Sequence, residues 1–150
     1  MVGRFENFTF ALSEITQCWN KIATEELKPY DLKGAYVVYL IALYKYPDGL
    51  TAADLCKMCN KDKADVSRAV SVMEKKKLVT RENVTVNGYR ALIKLTEYGT
   101  EATAILRERV KLAVEEGGRG LSDEDRENFY NALKIISANL KEISDKGLRK

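Results

Sequence analysis

Two short helical segments separated by three residues constrain the fold of this chain more than any other feature. The segments are "AADLCKMC" and "KADVSRAVSVMEK", and each begins after a residue suited to capping a helix. Thr51 with Asp54 forms a variant of the capping box, and Asp62 is an N-cap for the second segment. Asn60 readily adopts the left-handed conformation that ends a helix. Two short helices joined by such a tight turn predict a helix-turn-helix.

The segment after the second helix changes from helical to alternating apolar spacing. "TRENVTV" and "YRALIKL" flank Asn87-Gly88, which is the strongest short hairpin signal. A two-residue turn there predicts that Val84 faces Ala91 and that Thr85 faces Arg90 on the other side of the hairpin. A hairpin directly after a helix-turn-helix is typical of a wing.

Long helices are predicted on both sides of this module. The first carries an apolar stripe, ends before Pro29 and is followed by a central helix over about residues 32–46. Thr96 caps a long helix that ends at Gly117-Gly118, and Ser122 caps the last helix. The stripes step by four, three, four and three residues: Phe8, Leu12, Ile15, Trp19 and Ile22 in the first helix, and Phe129, Leu133, Ile136, Leu140 and Ile143 in the last.

These patterns predict a mainly α fold with a small β-wing. We expect a winged helix-turn-helix domain over residues 32–99 and a helical dimerisation region formed by residues 1–31 and 100–150. The flanking helices are too few to form a separate bundle, so we expect a second copy of the chain to cover their stripes.

The excess positive charge lies in the middle of the sequence. The net charge is +3, and residues 51–98 alone hold ten basic and six acidic side chains. This local excess is what binding to a polyanion requires.

Composition also narrows the class of protein. The chain has no histidine, the commonest general base and metal ligand, and it has no glycine-rich phosphate loop, so an enzyme is not expected. The apolar run at residues 35–44 is too short to span a bilayer, and the N-terminus lacks an export signal. We therefore expect a cytoplasmic protein without cofactor or metal.

The second helix of the motif has two distinct faces at 100° per residue. Val66, Ala69, Val70 and Met73 share one face, which predicts burial, whereas Ala64, Arg68, Ser71 and Lys75 lie opposite with Ser67 beside them. The opposite face is small, polar and basic. It suits either a solvated helix or a recognition helix, and the preceding helix, the wing and the charge excess favour recognition.

Residues 50–99 resemble the MarR family of winged helix-turn-helix regulators. That family carries Val/Thr-Ser-Arg, then Leu-Glu-x-x-Gly-Leu-Val-x-Arg, then Leu-Thr-x-x-Gly. The matching residues are Val66-Ser67-Arg68, Met73-Glu74, Leu78-Val79-x-Arg81 and Leu95-Thr96-x-x-Gly99. Two positions depart from the pattern: Lys77 replaces the usual glycine, and Asn87-Gly88-Tyr89 replaces the Asp-x-Arg of the wing.

The resemblance implies a sequence-specific transcriptional regulator. It would bind double-stranded DNA as a homodimer and act as a repressor. Its operator would be pseudo-palindromic, with half-sites about one turn of the DNA helix apart. We expect Lys63, Ser67, Arg68 and Ser71 to read bases; Lys61, Lys75 and Lys76 to contact phosphates; and Thr85 and Arg90 to serve the wing. Arg81 is either a further DNA contact or a brace paired with an acidic residue.

The resemblance also implies an effector, because repression by family members is commonly relieved by small aromatic acids. These acids bind between the dimer helices and the DNA-binding lobe. Trp19, Tyr36, Tyr39 and Tyr44 are candidates to line such an effector pocket, although core packing explains them more simply.

Three alternatives stay open at this point. Some relatives sense peroxides through a cysteine of the first helix, and Cys18 lies in such a helix. Cys56-x-x-Cys59 is a weak zinc signal, and buried thiols explain it better. A winged helix that contacts proteins and has no operator is the third alternative.

Overall fold

The computed structural model describes residues 3–83 and 91–149. Its helices are α1 (Arg4–Leu27), α2 (Val37–Lys45), α3 (Ala52–Cys59), α4 (Lys63–Lys75), α5 (Glu97–Gly117) and α6 (Asp123–Lys146), and its strands are β1 (Val79–Asn83) and β2 (Ala91–Leu95). The predicted mainly α fold with a winged helix-turn-helix is confirmed. The chain forms two compact units, Met1–Val110 and Lys111–Lys150. The division into a winged helix-turn-helix domain over residues 32–99 and a dimerisation region over residues 1–31 and 100–150 stays a prediction.

The predicted helix caps are confirmed. Thr51 and Asp54 form a reciprocal capping box, with hydrogen bonds of 3.0 and 3.1 Å. Asn60 has a φ of 52° at the end of α3, and the carboxylate of Asp62 accepts a hydrogen bond from the N–H of Asp65 in the first turn of α4. Ser122 caps α6 in the same way. These local signals set the lengths of α3 and α4, and therefore the geometry of the motif.

The predicted start of the second helix is wrong. The α-helical segment begins at Val37, and a 3-10 turn, Gly34–Tyr36, precedes it. This turn packs tightly on α1, because a Cβ at Gly34 would lie 2.6 Å from the Thr24 hydroxyl and 2.8 Å from the Thr24 amide. Close packing against α1 therefore sets the backbone of this segment, which helical periodicity alone does not reveal.

The predicted register of the hairpin is also wrong by one residue. Ala91 pairs with Asn83 rather than with Val84. The register follows from burial, because Val79 and Ile93 are 1% and 3% exposed and Ile93 also exchanges two backbone hydrogen bonds with Leu50, at 3.0 and 2.8 Å. A slip of one residue would turn these apolar side chains to solvent. The predicted turn and the Thr85–Arg90 pair lie outside the described residues.

The core of the first unit is formed by α1, α2, α3, α4, α5 and the sheet. Its largest fully buried side chains include Leu27, Leu40, Leu43, Leu55 and Met73. Each contributes about 1.5–3 kcal/mol by leaving water. Arg109 of α5 also binds Glu26 of α1 through three hydrogen bonds of 3.0–3.1 Å. The helix-turn-helix thus rests on a packed scaffold.

The apolar stripes of α1 and α6 are exposed. Their five predicted residues are 37–60% exposed on α1 and 39–50% exposed on α6. Rows of large apolar side chains at this exposure are costly in water and mark surfaces that bind something.

Candidate nucleic-acid interface

The helix α4 has the two faces that the sequence predicts. Val66, Ala69 and Met73 are 0% exposed and Val70 is 2% exposed, so this side anchors the helix in the core. Ala64, Ser67, Arg68 and Lys75 are exposed on the outside, and Ser71 is half-buried. Small side chains beside a long cation allow close approach of the backbone to a groove floor.

Arg68 is an exposed cation on the outer face. Its Nη2 donates a hydrogen bond to Oδ1 of Asp65, one helical turn earlier, and the two side chains are 68% and 46% exposed. Asp65 in turn is fixed through its backbone, whose N–H bonds Asp62 at 2.8 Å. The guanidinium therefore stands on the surface with one of its N–H groups engaged.

A cleft of about 760 Å³ runs beside this face, and we call it the α2–α4 cleft. Its lining includes Tyr36, Tyr39, Lys61, Ser67, Arg68 and Ser71. The structure thus brings together two predicted effector residues and four predicted DNA-binding residues. An occupant of this cleft would lie against the side chains expected to meet DNA.

Ser71 and Arg81 connect α4 to the first strand of the wing. Nη2 of Arg81 donates to the Ser71 hydroxyl at 3.2 Å, and Nε of Arg81 lies 3.5 Å from the Glu74 carboxylate. This geometry supports the brace role for Arg81. Ser71 can accept this bond and still donate its own proton outwards.

The predicted phosphate-binding lysines have different surroundings. Lys61, Lys63 and Lys75 are exposed. Nζ of Lys76 instead lies 2.7 Å from Oδ2 of Asp31, and this hydrogen bond to the ammonium holds the pKa of the Asp31 carboxyl below its usual range. Thr85 and Arg90 lie outside the described residues.

Lys77, which replaces the usual glycine of the family pattern, has an unusual backbone conformation. It has a φ of 61°, the left-handed conformation for which glycine is best suited. The Leu78 N–H closes the helix end on Met73 O at 2.9 Å. A glycine, the residue of the family pattern, would adopt this conformation without strain, whereas the chain places a lysine there.

The other predicted effector residues do not lie together. Trp19 lines a second cavity of about 390 Å³, which shares Lys33, Ala35 and Lys61 with the α2–α4 cleft. Tyr44 lines neither cavity, and the Arg107 guanidinium lies 4.5 Å from its ring centroid. Tyr39 is only 2% exposed, and its desolvation raises the pKa of the phenol to about 12.

The cysteines are free thiols in distinct environments. Cys18 is exposed on α1. The Cys59 thiol donates to Val38 O at 3.7 Å, and burial raises its pKa. Within residues 3–83 and 91–149, no group of three or more His, Cys, Asp or Glu side chains is placed to hold a metal ion. No helix in this described part is long and apolar enough to cross a membrane.

Sequence reasoning missed the acidic residues of the interface. Asp65 and Asp31 bind two of the predicted DNA-binding cations. The spacing of Asp65 and Arg68 by three residues is a signal for contact on one helix face. No sequence signal pairs Asp31 with Lys76, which lies 45 positions away.

Comparison with known proteins gives one family. Residues 30–87 match the sequence model of the MarR family. Similar solved structures include a MarR transcriptional regulator from Methanosarcina mazei, with 20% identity, a TM-score of 0.83 and coverage of 92% of this chain and 99% of that one. A MarR family regulator from Listeria monocytogenes, solved with a 26mer DNA, has 19% identity, a TM-score of 0.83 and coverage of 95% and 96%. MepR from S. aureus in its DNA-binding conformation has 23% identity, a TM-score of 0.78 and coverage of 89% and 98%.

Proposed function

We propose that the chain is a transcriptional regulator of the MarR family, whose sequence model matches residues 30–87, and that it inserts α4 into the major groove of a double-stranded operator. The observation that carries this proposal is the outer face of α4, where Arg68 projects among the small residues Ala64 and Ser67. The buried opposite face fixes the orientation of the helix. Members of this family are regulators rather than enzymes.

The contacts divide into base readers and phosphate contacts. Lys63, Ser67, Arg68 and Ser71 are the proposed base readers, and Arg68 has the donor geometry that suits guanine. Lys61, Lys75 and Lys76 are the proposed phosphate contacts, with Thr85 and Arg90 serving the wing. Lys76 must share its ammonium with Asp31 or release it to reach a phosphate.

The functional unit we propose is a homodimer. The exposed stripes of α1 and α6 would be covered by a second copy, with residues 1–31 and 100–150 as the dimerisation region and 32–99 as the DNA-binding domain. A two-fold dimer reads a pseudo-palindrome with half-sites about 10 base pairs apart, centre to centre. Repression of transcription is the expected outcome, and the cytoplasm is the expected location.

Control by a small aromatic acid is a second proposal. The α2–α4 cleft offers the half-buried ring of Tyr36 as an aromatic surface and Lys61 and Arg68 as cations, which suits an aromatic carboxylate; Tyr39 also lines the cleft but is almost fully buried. Such a ligand would occupy the DNA-facing cations and compete with the operator. Salicylate is a convenient probe. The site would be supported if salicylate raises the apparent Kd for DNA and if this rise is smaller in Lys61→Ala.

Redox control through Cys18 is an alternative mode of regulation. The observation that favours it is the exposure of this thiol on α1. Loss of DNA binding with peroxide, restored by a thiol reductant and absent in Cys18→Ser, would support it. If Cys18→Ser loses DNA binding with peroxide as readily as the unsubstituted chain, the effect of peroxide arises at another residue.

The experiment that tests the proposed function is selection of bound duplexes from a random-sequence pool. We expect enrichment of an inverted repeat and a complex that contains two chains for each duplex. Binding that falls with salt but enriches no sequence would contradict operator recognition. No DNA binding at all would favour a winged helix that contacts proteins.

A further inference from the structure

The carboxylate of Asp65 places a negative charge on the surface that is proposed to bind DNA. It lies on the first turn of α4, lines the α2–α4 cleft and is about half exposed. A negative charge there repels phosphates. An acidic residue in the first turn also stabilises the helix through a favourable interaction with its dipole, but that effect does not require contact with Arg68.

We propose that Asp65 is a specificity-determining residue that positions the Arg68 guanidinium for base recognition. This inference rests on the proposed function. Arg68 has five N–H donors, and its bond to Oδ1 of Asp65 engages one of them at Nη2. The carboxylate therefore restrains the guanidinium, whose side chain is 68% exposed, and its remaining N–H donors can bond to O6 and N7 of a guanine.

The exposure of both side chains argues for this role over one in stability. They are 68% and 46% exposed, and ion pairs at such exposure contribute little to folding. Ordering a long, exposed arginine before binding instead removes part of the entropy lost when it docks.

The two effects of Asp65 on DNA binding have opposite signs, and this separates positioning from simple charge. Loss of the carboxylate removes a repulsion, so affinity for random duplexes stays the same or rises. Loss of the bond to Arg68 leaves the guanidinium in many rotamers, so affinity for the selected duplex falls. A residue that served only the helix would lower both affinities together.

The test compares affinities for the duplex enriched by selection and for a scrambled duplex of equal length. The variants are Asp65→Ala, Asp65→Asn, Arg68→Ala and the double Asp65→Ala/Arg68→Ala, with Glu101→Ala, exposed on α5, as the control for removal of one acidic charge. Circular dichroism and thermal unfolding establish that each variant is folded.

We expect Asp65→Ala to reduce the ratio of specific to random affinity about five-fold or more, within the range of a bidentate base contact. Asp65→Asn, which keeps an acceptor oxygen, should retain more of the ratio than Asp65→Ala. The double variant should lose no more of the ratio than Arg68→Ala alone.

Two results would overturn the inference while leaving the proposed function intact. One is an unchanged ratio in Asp65→Ala, and the other is an additive loss in the double variant. Absence of any sequence preference in the unsubstituted chain would overturn both the inference and the proposed function.

Discussion

Nζ of Lys76, just after α4, lies 2.7 Å from Oδ2 of Asp31, in the turn after α1. Asp31 itself has a φ of 51°, so a left-handed residue presents this carboxylate. The contact links the proposed recognition helix to the helix whose apolar stripe is expected to form the dimer. It also makes Lys76 different from its exposed neighbour Lys75.

This difference predicts unequal roles for the two lysines in DNA binding. Lys75→Ala should reduce the slope of log affinity against log salt by about 0.9, the value for one phosphate contact. Lys76→Ala should reduce it less, because its ammonium already has a carboxylate partner. Fluorescence anisotropy over a range of salt concentrations measures both slopes. Equal reductions would indicate that Asp31 releases Lys76 on binding.

The left-handed backbone of Lys77 predicts that glycine stabilises this position. Lys77→Gly should raise the free energy of unfolding by about 0.5–1 kcal/mol, because it removes the clash of Cβ with the backbone at positive φ. The control is Lys75→Gly inside α4, which should lower stability by about 1 kcal/mol. Urea unfolding compares the two variants. Destabilisation by Lys77→Gly would show that the turn is not under strain.

The close approach of α5 to the start of β1 predicts that Gly99 tolerates no side chain. A Cβ there would lie 2.0 Å from the backbone oxygen of Leu78. Gly99→Ala should therefore cost about 1–3 kcal/mol or more by forcing the two segments apart. Gly117→Ala, where a Cβ meets no described atom within 4 Å, is the matched control and should be neutral or slightly stabilising. A neutral Gly99→Ala would contradict this packing.

The buried phenol of Tyr39 predicts a loss of stability at alkaline pH. Its pKa in the folded chain is raised to about 12, against about 10 in an unfolded chain. The unfolded chain therefore loses this proton first, and the folded state loses stability as the pH rises from about 10 towards 12. Urea midpoints across this range should fall less in Tyr39→Phe. Tyr46→Phe, at an exposed ring, is the matched control, and parallel curves for Tyr39→Phe and the unsubstituted chain would contradict the prediction.

Local signals in the sequence predicted most of the fold. Thr51, Asp62 and Ser122 satisfy backbone N–H groups within three residues, so their effect can be read from a short window. The buried face of α4 follows from helical periodicity in the same way. These signals were sufficient to find the motif and orient its outer face.

Features that depend on distant parts of the chain were not predictable in this way. Packing against Thr24 determines the turn at Gly34, and pairing of Ile93 with Leu50 helps to fix the sheet register. The bond between Asp31 and Lys76 also joins segments far apart in the sequence. The sequence therefore predicted the cations of the candidate site. The spacing of Asp65 and Arg68 also indicates their contact, whereas the contact of Asp31 with Lys76 required the structure.

The central claim is that the outer face of α4 reads DNA sequence through Arg68. The most direct test measures the affinity of the unsubstituted chain and of Arg68→Ala for the selected duplex and for a scrambled duplex at one salt concentration. We expect Arg68→Ala to weaken specific binding by about 1–3 kcal/mol and to change binding to the scrambled duplex much less. Equal losses on the two duplexes would show that Arg68 contacts only the backbone, and would contradict the account.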